Sequence, residues 1–207
     1  MLTQRIDSIY TKVGEGPLWD SRSNKFYAVD LLEGIVLTLD ADGRELKRQS
    51  TGTPTAAVTP IDTSDDLLVS LSDGFYRLRP DGSTSIIARA NRHSEERLAD
   101  AKVDREGRLV AVSSHADLSE QLGGLYRLEK SGQVTLLDTG FILGNGPCWS
   151  PDGSWFYVAD SWFKRIYRYE YRSDGSLGPR EVFVDVSNRK GIPDGATVDN
   201  QGRLWLA

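Results

Sequence analysis

One short pattern stands at the head of three tryptophan- or valine-led strand runs, each time with a different oxygen-bearing residue in the same slot. Gly14-Glu15-Gly16-Pro17-Leu18-Trp19-Asp20, Gly144-Asn145-Gly146-Pro147-Cys148-Trp149-Ser150 and Pro193-Asp194-Gly195-Ala196-Thr197-Val198-Asp199 superpose without a gap. Such a repeat restricts the fold severely, because one unit cannot bury its apolar face alone and must stack or close on its copies. Copies arranged about an axis would bring Glu15, Asn145 and Asp194 together. Convergent carboxylate and amide oxygens are the donors that a hard divalent cation takes.

The hydrophobic pattern carries the same repeat. Runs at Lys25–Asp30, Leu67–Leu71, Arg108–Val112, Trp155–Asp160 and Arg203–Ala207 recur every 41 to 48 residues or so, roughly the length of one four-stranded propeller blade. A further run follows in four of the units, at Gly34–Asp40, Gly74–Arg79, Gly124–Leu128 and Arg165–Glu170. Apolar and polar residues alternate along them, as in half-buried antiparallel strands. Turns such as Pro80-Asp81-Gly82 and Lys130-Ser131-Gly132 close the hairpins. The expectation is an all-β protein, a β-propeller. Helical period is nearly absent; only His93–Ala101 could wind one or two turns. Trp19 and Trp149 share one repeat position and are expected to fill wedges between blades, whereas Trp162 is the candidate for an exposed aromatic.

Composition sets limits on function. At 207 residues, with no linker-like stretch, the chain reads as a single domain. A net charge of −5 argues against a phosphate-tracking surface, so no nucleic-acid partner is expected. The single Cys148 excludes an internal disulfide and a multi-cysteine zinc site. No apolar run reaches membrane-spanning length and Met1–Tyr10 lacks a signal-like stretch, so no membrane partner and a cytoplasmic location are expected. His93 and His115 form no His-Glu-x-x-His pair, and there is no Gly-x-Ser-x-Gly elbow, which leaves zincin and serine-hydrolase chemistry without support. Ala207 falls inside the fifth strand run with no turn or partner strand after it, which predicts four blades and the start of a fifth from a longer closed ring.

Each slot residue also has a plainer reading. Glu15 sits between two glycines, where a solvated polar residue without function is common. Asn145 suits a left-handed turn position. Asp194 lies in a Pro-Asp-Gly tripeptide that recurs at Pro80-Asp81-Gly82 and Pro151-Asp152-Gly153, where it is a hairpin turn. Asp194 differs in preceding an inner strand, and three ligand-type residues in one repeat position favour a shared site.

Several of these segments together resemble the gluconolactonase, regucalcin (senescence marker protein) and luciferin-regenerating enzyme family. They are Gly14–Asp20, Asn145–Gly153, Tyr157–Ser161 and Gly191–Asp199, and the resemblance runs from about Val13 to the end. It implies a six-bladed propeller with one divalent metal in the central channel and, in many members, hydrolysis of sugar lactones. On that pattern residues 1–207 form a partial propeller domain lacking the end of blade five and all of blade six. The resemblance also places the metal ligands on Glu15, Asn145 and Asp194. The family segment Arg-x-Asn-Asp-Gly-Lys-Val-Asp lines the substrate pocket. Here it reads Arg97-Leu98-Ala99-Asp100-Ala101-Lys102-Val103-Asp104, so Arg97 and Asp100 match as substrate-binding residues while Ala99 and Ala101 depart. A polar donor is lost at Ala99, which bears on sugar-lactone specificity. The plainer role for Arg97 is a surface pair with Glu95 or Glu96.

The expected chemistry is metal-assisted ester hydrolysis of a small-molecule lactone. One divalent cation, Ca²⁺, Mg²⁺, Mn²⁺ or Zn²⁺, would polarise the carbonyl and acidify water. Asp194 is the candidate general base, an assignment the resemblance favours over Glu15. The alternative is a non-catalytic metal-binding propeller, either a regulatory or interaction protein or an inactive truncated remnant.

Overall fold

The computed structural model describes residues 9–207, and among them it contains strands, turns and bends but no helix. The segment 1–8, part of the stretch without signal-like character, lies outside the described residues. Blade one comprises β1 (Gly14–Asp20), β2 (Lys25–Asp30), β3 (Ile35–Leu39) and β4 (Glu45–Ser50). Blade two comprises β5 (Thr55–Pro60), β6 (Leu67–Leu71), β7 (Gly74–Leu78) and β8 (Thr84–Arg89). Blade three comprises β9 (Glu96–Val103), β10 (Leu109–His115), β11 (Gly123–Leu128) and β12 (Val134–Phe141). Blade four comprises β13 (Gly144–Trp149), β14 (Trp155–Asp160), β15 (Arg165–Glu170) and β16 (Glu181–Asp185). Each is a four-stranded antiparallel sheet in chain order, and β17 (Ala196–Val198) pairs with β18 (Leu204–Leu206) in a fifth, two-stranded sheet. The propeller expectation is met, and the predicted runs fall on the second and third strands of the blades.

Burial follows from this stacking. A middle strand is covered on both faces, so every residue of β10 is buried, whereas every residue of the outer strand β16 is exposed. One apolar cluster fills each wedge: Val29, Val58 and Val69 between blades one and two, Phe75, Leu98 and Tyr126 between two and three, and Val112, Phe141 and Tyr167 between three and four. Blades three and four are also tied through a buried polar knot below that wedge. The Asp104 carboxylate accepts from Arg108 Nε at 2.6 Å and from the Tyr171 hydroxyl at 2.7 Å, which leaves neither buried charge unpaired.

Two expectations are corrected. The segment His93–Ala101 is not helical; β9 begins at Glu96, which stands opposite His115. A carboxylate occupies a core position there, because Glu96 Oε1 accepts from the hydroxyls of Ser113 and Tyr126. That substitution of charge for an apolar residue hides the strand alternation in which Glu96 and Leu98 are buried and Arg97 exposed. The wedge role holds for Trp149 but not for Trp19. Trp149 packs against the apolar cluster shared by blades three and four, with Phe156 and Tyr171 at centroid distances of 5.2 and 5.7 Å. Ladder registers place Ala41 of blade one where Tyr171 stands in blade four, and Trp19 is left 48% exposed. Trp162 is exposed, as anticipated.

Candidate functional site

The strand ladders fix which residues are equivalent around the channel. Trp19 faces Phe26, Pro60 faces Leu67, Val103 faces Leu109, Trp149 faces Phe156 and Val198 faces Leu204. Four residues earlier in the chain stand Glu15, Ala56, Ala99 and Asn145 on their inner strands, and Asp194 two residues before β17 begins. Counting back from Asp104 already puts Ala99 in this slot in blade three, and the ladders add blade two, where Ala56 stands. In the first four blades this slot coincides with a break in register: between Glu15 and Leu18, Thr55 and Ala57, Leu98 and Asp100, and Asn145 and Cys148. Bulges re-aim side chains at the rims of sheets, and here they turn the head of each inner strand.

Glycine is required at the turn in blade four. Gly146 has φ of 63°, and a Cβ there would stand 2.7 Å from the Ala196 Cβ and 3.0 Å from the Asp194 carbonyl oxygen. The backbone that carries Asn145 thus lies directly against the backbone that carries Asp194. Asp194 is held in turn by its own amide, which donates to the Ala207 carbonyl at 3.2 Å.

Asn145 is fastened from two sides. Its Nδ2 donates to Ser161 Oγ at 2.9 Å, and the next amide, Gly146 N–H, donates to Asp100 Oδ2 at 2.8 Å. The other Asp100 oxygen accepts from Ala101 N–H at 2.7 Å. Asp100, expected to bind substrate, therefore has both carboxylate oxygens engaged by backbone and braces the neighbouring turn. Arg97 is exposed, opposite Ser114 on β10, and its side chain makes no hydrogen bond or ion pair among the described residues. The alternative pairing with Glu96 is not realised, because Glu96 is buried in its own network. Reading the sequence missed Ser161, which belongs to a quoted motif but acts on a residue 16 positions earlier. It also missed Lys102, whose Nζ reaches Thr197 Oγ1 across blade four at 3.4 Å.

Negative charge gathers at this ring. Burial pushes the Glu15 carboxyl up to about 7, with Asp194 and then Asp100 adding repulsion. Burial likewise raises Asp100 to about 6; the Gly146 and Ala101 amides and the Lys102 ammonium oppose it, and Asp194 adds to it. A cation relieves the repulsion among carboxylates gathered in a partly buried site. Among the described residues no group of three His, Cys, Asp or Glu side chains could by itself hold a metal. Any donor set here must draw on the Asn145 amide. Two carboxylates and an amide are a hard-oxygen set, so the residues fit a divalent cation of the Ca²⁺ or Mg²⁺ kind. No helix among the described residues is long and apolar enough to cross a membrane.

Comparison with known proteins gives one consistent result. The family model described as the SMP-30/gluconolactonase/LRE-like region matches residues 13–207. The pentonolactonase XacC of Haloferax volcanii is 30% identical over 208 residues, covering 100% of this chain and 70% of that protein. The L-arabinolactonase of Azospirillum brasilense is 31% identical over 202 residues, covering 94% of this chain and 66% of that protein. A crystal structure of a calcium-binding protein, regucalcin, from Agrobacterium tumefaciens superposes with a TM-score of 0.89 at 27% identity, covering 97% of this chain and 69% of that one.

Proposed function

The chain belongs to the SMP-30/gluconolactonase/LRE-like family, and we propose that it opens a sugar-lactone ring at the head of the channel, with one divalent cation held by Glu15, Asn145 and Asp194. The observation that carries this reading is the register. A carboxylate, an amide and a second carboxylate share one slot of the propeller, and Glu15 and Asp194 repel each other there. Relatives named as pentonolactonase and L-arabinolactonase supply the substrate class.

When bound, the cation supplies a Lewis acid for the ester carbonyl and lowers the pKa of water beside it. Asp194 acts as general base: water oxygen adds to the lactone carbonyl carbon while its proton passes to the Asp194 carboxylate. The ring C–O bond then breaks, and that proton passes to the departing alkoxide, which leaves an open-chain hydroxy acid. Glu15 and Asn145 hold the cation, and Asp100 keeps the Asn145 turn in place through Gly146. In this reading Arg97, exposed and without a side-chain partner among the described residues, binds substrate oxygens.

A second reading, a non-catalytic metal-binding propeller, draws on Ala99. The slot beside Asp100 offers no polar atom to a sugar hydroxyl. Lactone hydrolysis followed with a pH indicator, across aldonolactones and simpler lactones, separates the two. Turnover that a chelator abolishes supports the hydrolase. Metal binding without turnover on any lactone supports the second reading.

A further inference from the structure

We infer that Ser161 is a positioning residue for the proposed cation site, the group that makes an amide serviceable as a ligand in blade four. The inference rests on the assignment of Asn145 as a ligand. An amide presents two unlike ends: Oδ1 can ligate a cation, and the Nδ2 group, carrying two protons and no free lone pair, cannot. A carboxylate in the same slot has no such choice to make, since both of its oxygens ligate.

The structure resolves that choice with a single contact. Asn145 Nδ2 donates to Ser161 Oγ at 2.9 Å, which engages the amide NH₂ within blade four and leaves Oδ1 as the end available to a cation. Ser161 is 0% exposed, so no solvent competes for that contact. Its backbone is fixed as well: Ser161 N–H donates to the Leu143 carbonyl at 2.8 Å, on the strand entry just before Asn145.

Blade one provides the internal control. Asp30 and Asp160 end the equivalent strands β2 and β14, each accepting backbone amides from the strand entry beside it, so the residue that follows is Leu31 in blade one and Ser161 in blade four. Leu31 N–H makes the same backbone bond, to the Val13 carbonyl at 2.9 Å. The backbone position is thus conserved between the two blades while the side chain differs. Behind the carboxylate Glu15 stands an apolar residue, and behind the amide Asn145 stands an acceptor. The hydroxyl is not needed by the fold at that position; it is matched to the amide.

The test is calorimetric titration of the whole chain with Ca²⁺, and with Mg²⁺, Mn²⁺ and Zn²⁺ in turn, for the parent, Ser161→Ala, Asn145→Ala and the double variant. Loss of an outer-shell partner weakens metal binding by roughly 10- to 100-fold. That loss is expected for Ser161→Ala, with no further loss when Ser161→Ala is added to Asn145→Ala. Unfolding temperatures measured in chelator separate a merely structural role, which would lower stability and leave Kd unchanged. The side-chain amide resonances of Asn145, identified by their disappearance in Asn145→Ala, report the contact even if affinity is hard to measure, and Ser161→Ala should shift them. Equal Kd in parent and Ser161→Ala overturns the inference while leaving the cation site standing. Absence of divalent binding by the parent overturns both.

Discussion

The Asp100 carboxylate of blade three accepts the backbone N–H of Gly146 in blade four at 2.8 Å, so a side chain next to one slot holds the turn that carries another. Removing the acceptor leaves a buried amide unpaired, which costs about 1–3 kcal/mol. Asp100→Ala is therefore expected to lower the unfolding free energy of the metal-free chain, measured by denaturant titration, by that amount. Asp100→Asn, which retains an acceptor oxygen, should lose less. Equal losses from the two would show that the charge, not the hydrogen bond, is what Asp100 contributes.

Glycine at 146 and glycine at 16 occupy the same slot-plus-one position with φ of 63° and 55°, yet they meet different surroundings. A Cβ at Gly16 finds its nearest neighbour at 3.5 Å, whereas one at Gly146 meets three atoms at 3.0 Å or closer. Both alanine substitutions incur the left-handed penalty of roughly 1–2 kcal/mol. Gly146→Ala should lose clearly more, because Ala196 and Asp194 must also move, and it should weaken metal binding with it. Comparable urea midpoints for Gly16→Ala and Gly146→Ala would contradict the close approach of the two strand heads.

The pH response of the metal-free chain follows from Glu15. Burial and the neighbouring Asp194 raise its carboxyl from 4.5 to about 7. A carboxyl that holds its proton more tightly when folded stabilises the fold below its unfolded pKa, and that contribution is lost as pH rises through the folded value. Stability in chelator should therefore fall between about pH 4.5 and 7 with a slope of up to one proton, ~1.4 kcal/mol per pH unit. Glu15→Gln should flatten the slope, and thermal unfolding across that range checks it.

Cys148 is 2% exposed, and burial pushes its thiol up to about 12. A thiol without thiolate and without access does not react. The folded chain at pH 8 is expected to resist iodoacetamide for hours and to be modified at once in denaturant. Rapid labelling under native conditions would show that the inner strand of blade four opens readily.

The propeller is legible in the sequence because the repeat states it twice, in the Gly-x-Gly-Pro heads and in runs such as Lys25–Asp30 and Trp155–Asp160. The head of blade two escaped notice because Thr55-Ala56-Ala57 has neither glycine nor ligand; only its pairing with Ser70 and Leu71 reveals the slot. Glu96 misled for the opposite reason, being a charged residue made into core by two hydroxyls from other strands. Glu15, Asn145 and Asp194 were visible as a set because the repeat aligns them. The groups that fasten Asn145 were not. Asp100 to Gly146 joins residues 46 positions apart in two blades and exists only once those blades are stacked, while Ser161 to Asn145 spans 16 positions and exists only once β13 and β14 of blade four are paired.

The deciding measurement compares lactone turnover by the parent chain and by Asp194→Ala, each with saturating divalent metal and each with chelator. Chelator should abolish turnover by the parent, and Asp194→Ala should be inactive with metal present while its circular dichroism and unfolding temperature stay close to the parent's. Undiminished hydrolysis by the parent in chelator, or by a folded Asp194→Ala, would contradict a reaction that depends on the Glu15, Asn145 and Asp194 slot.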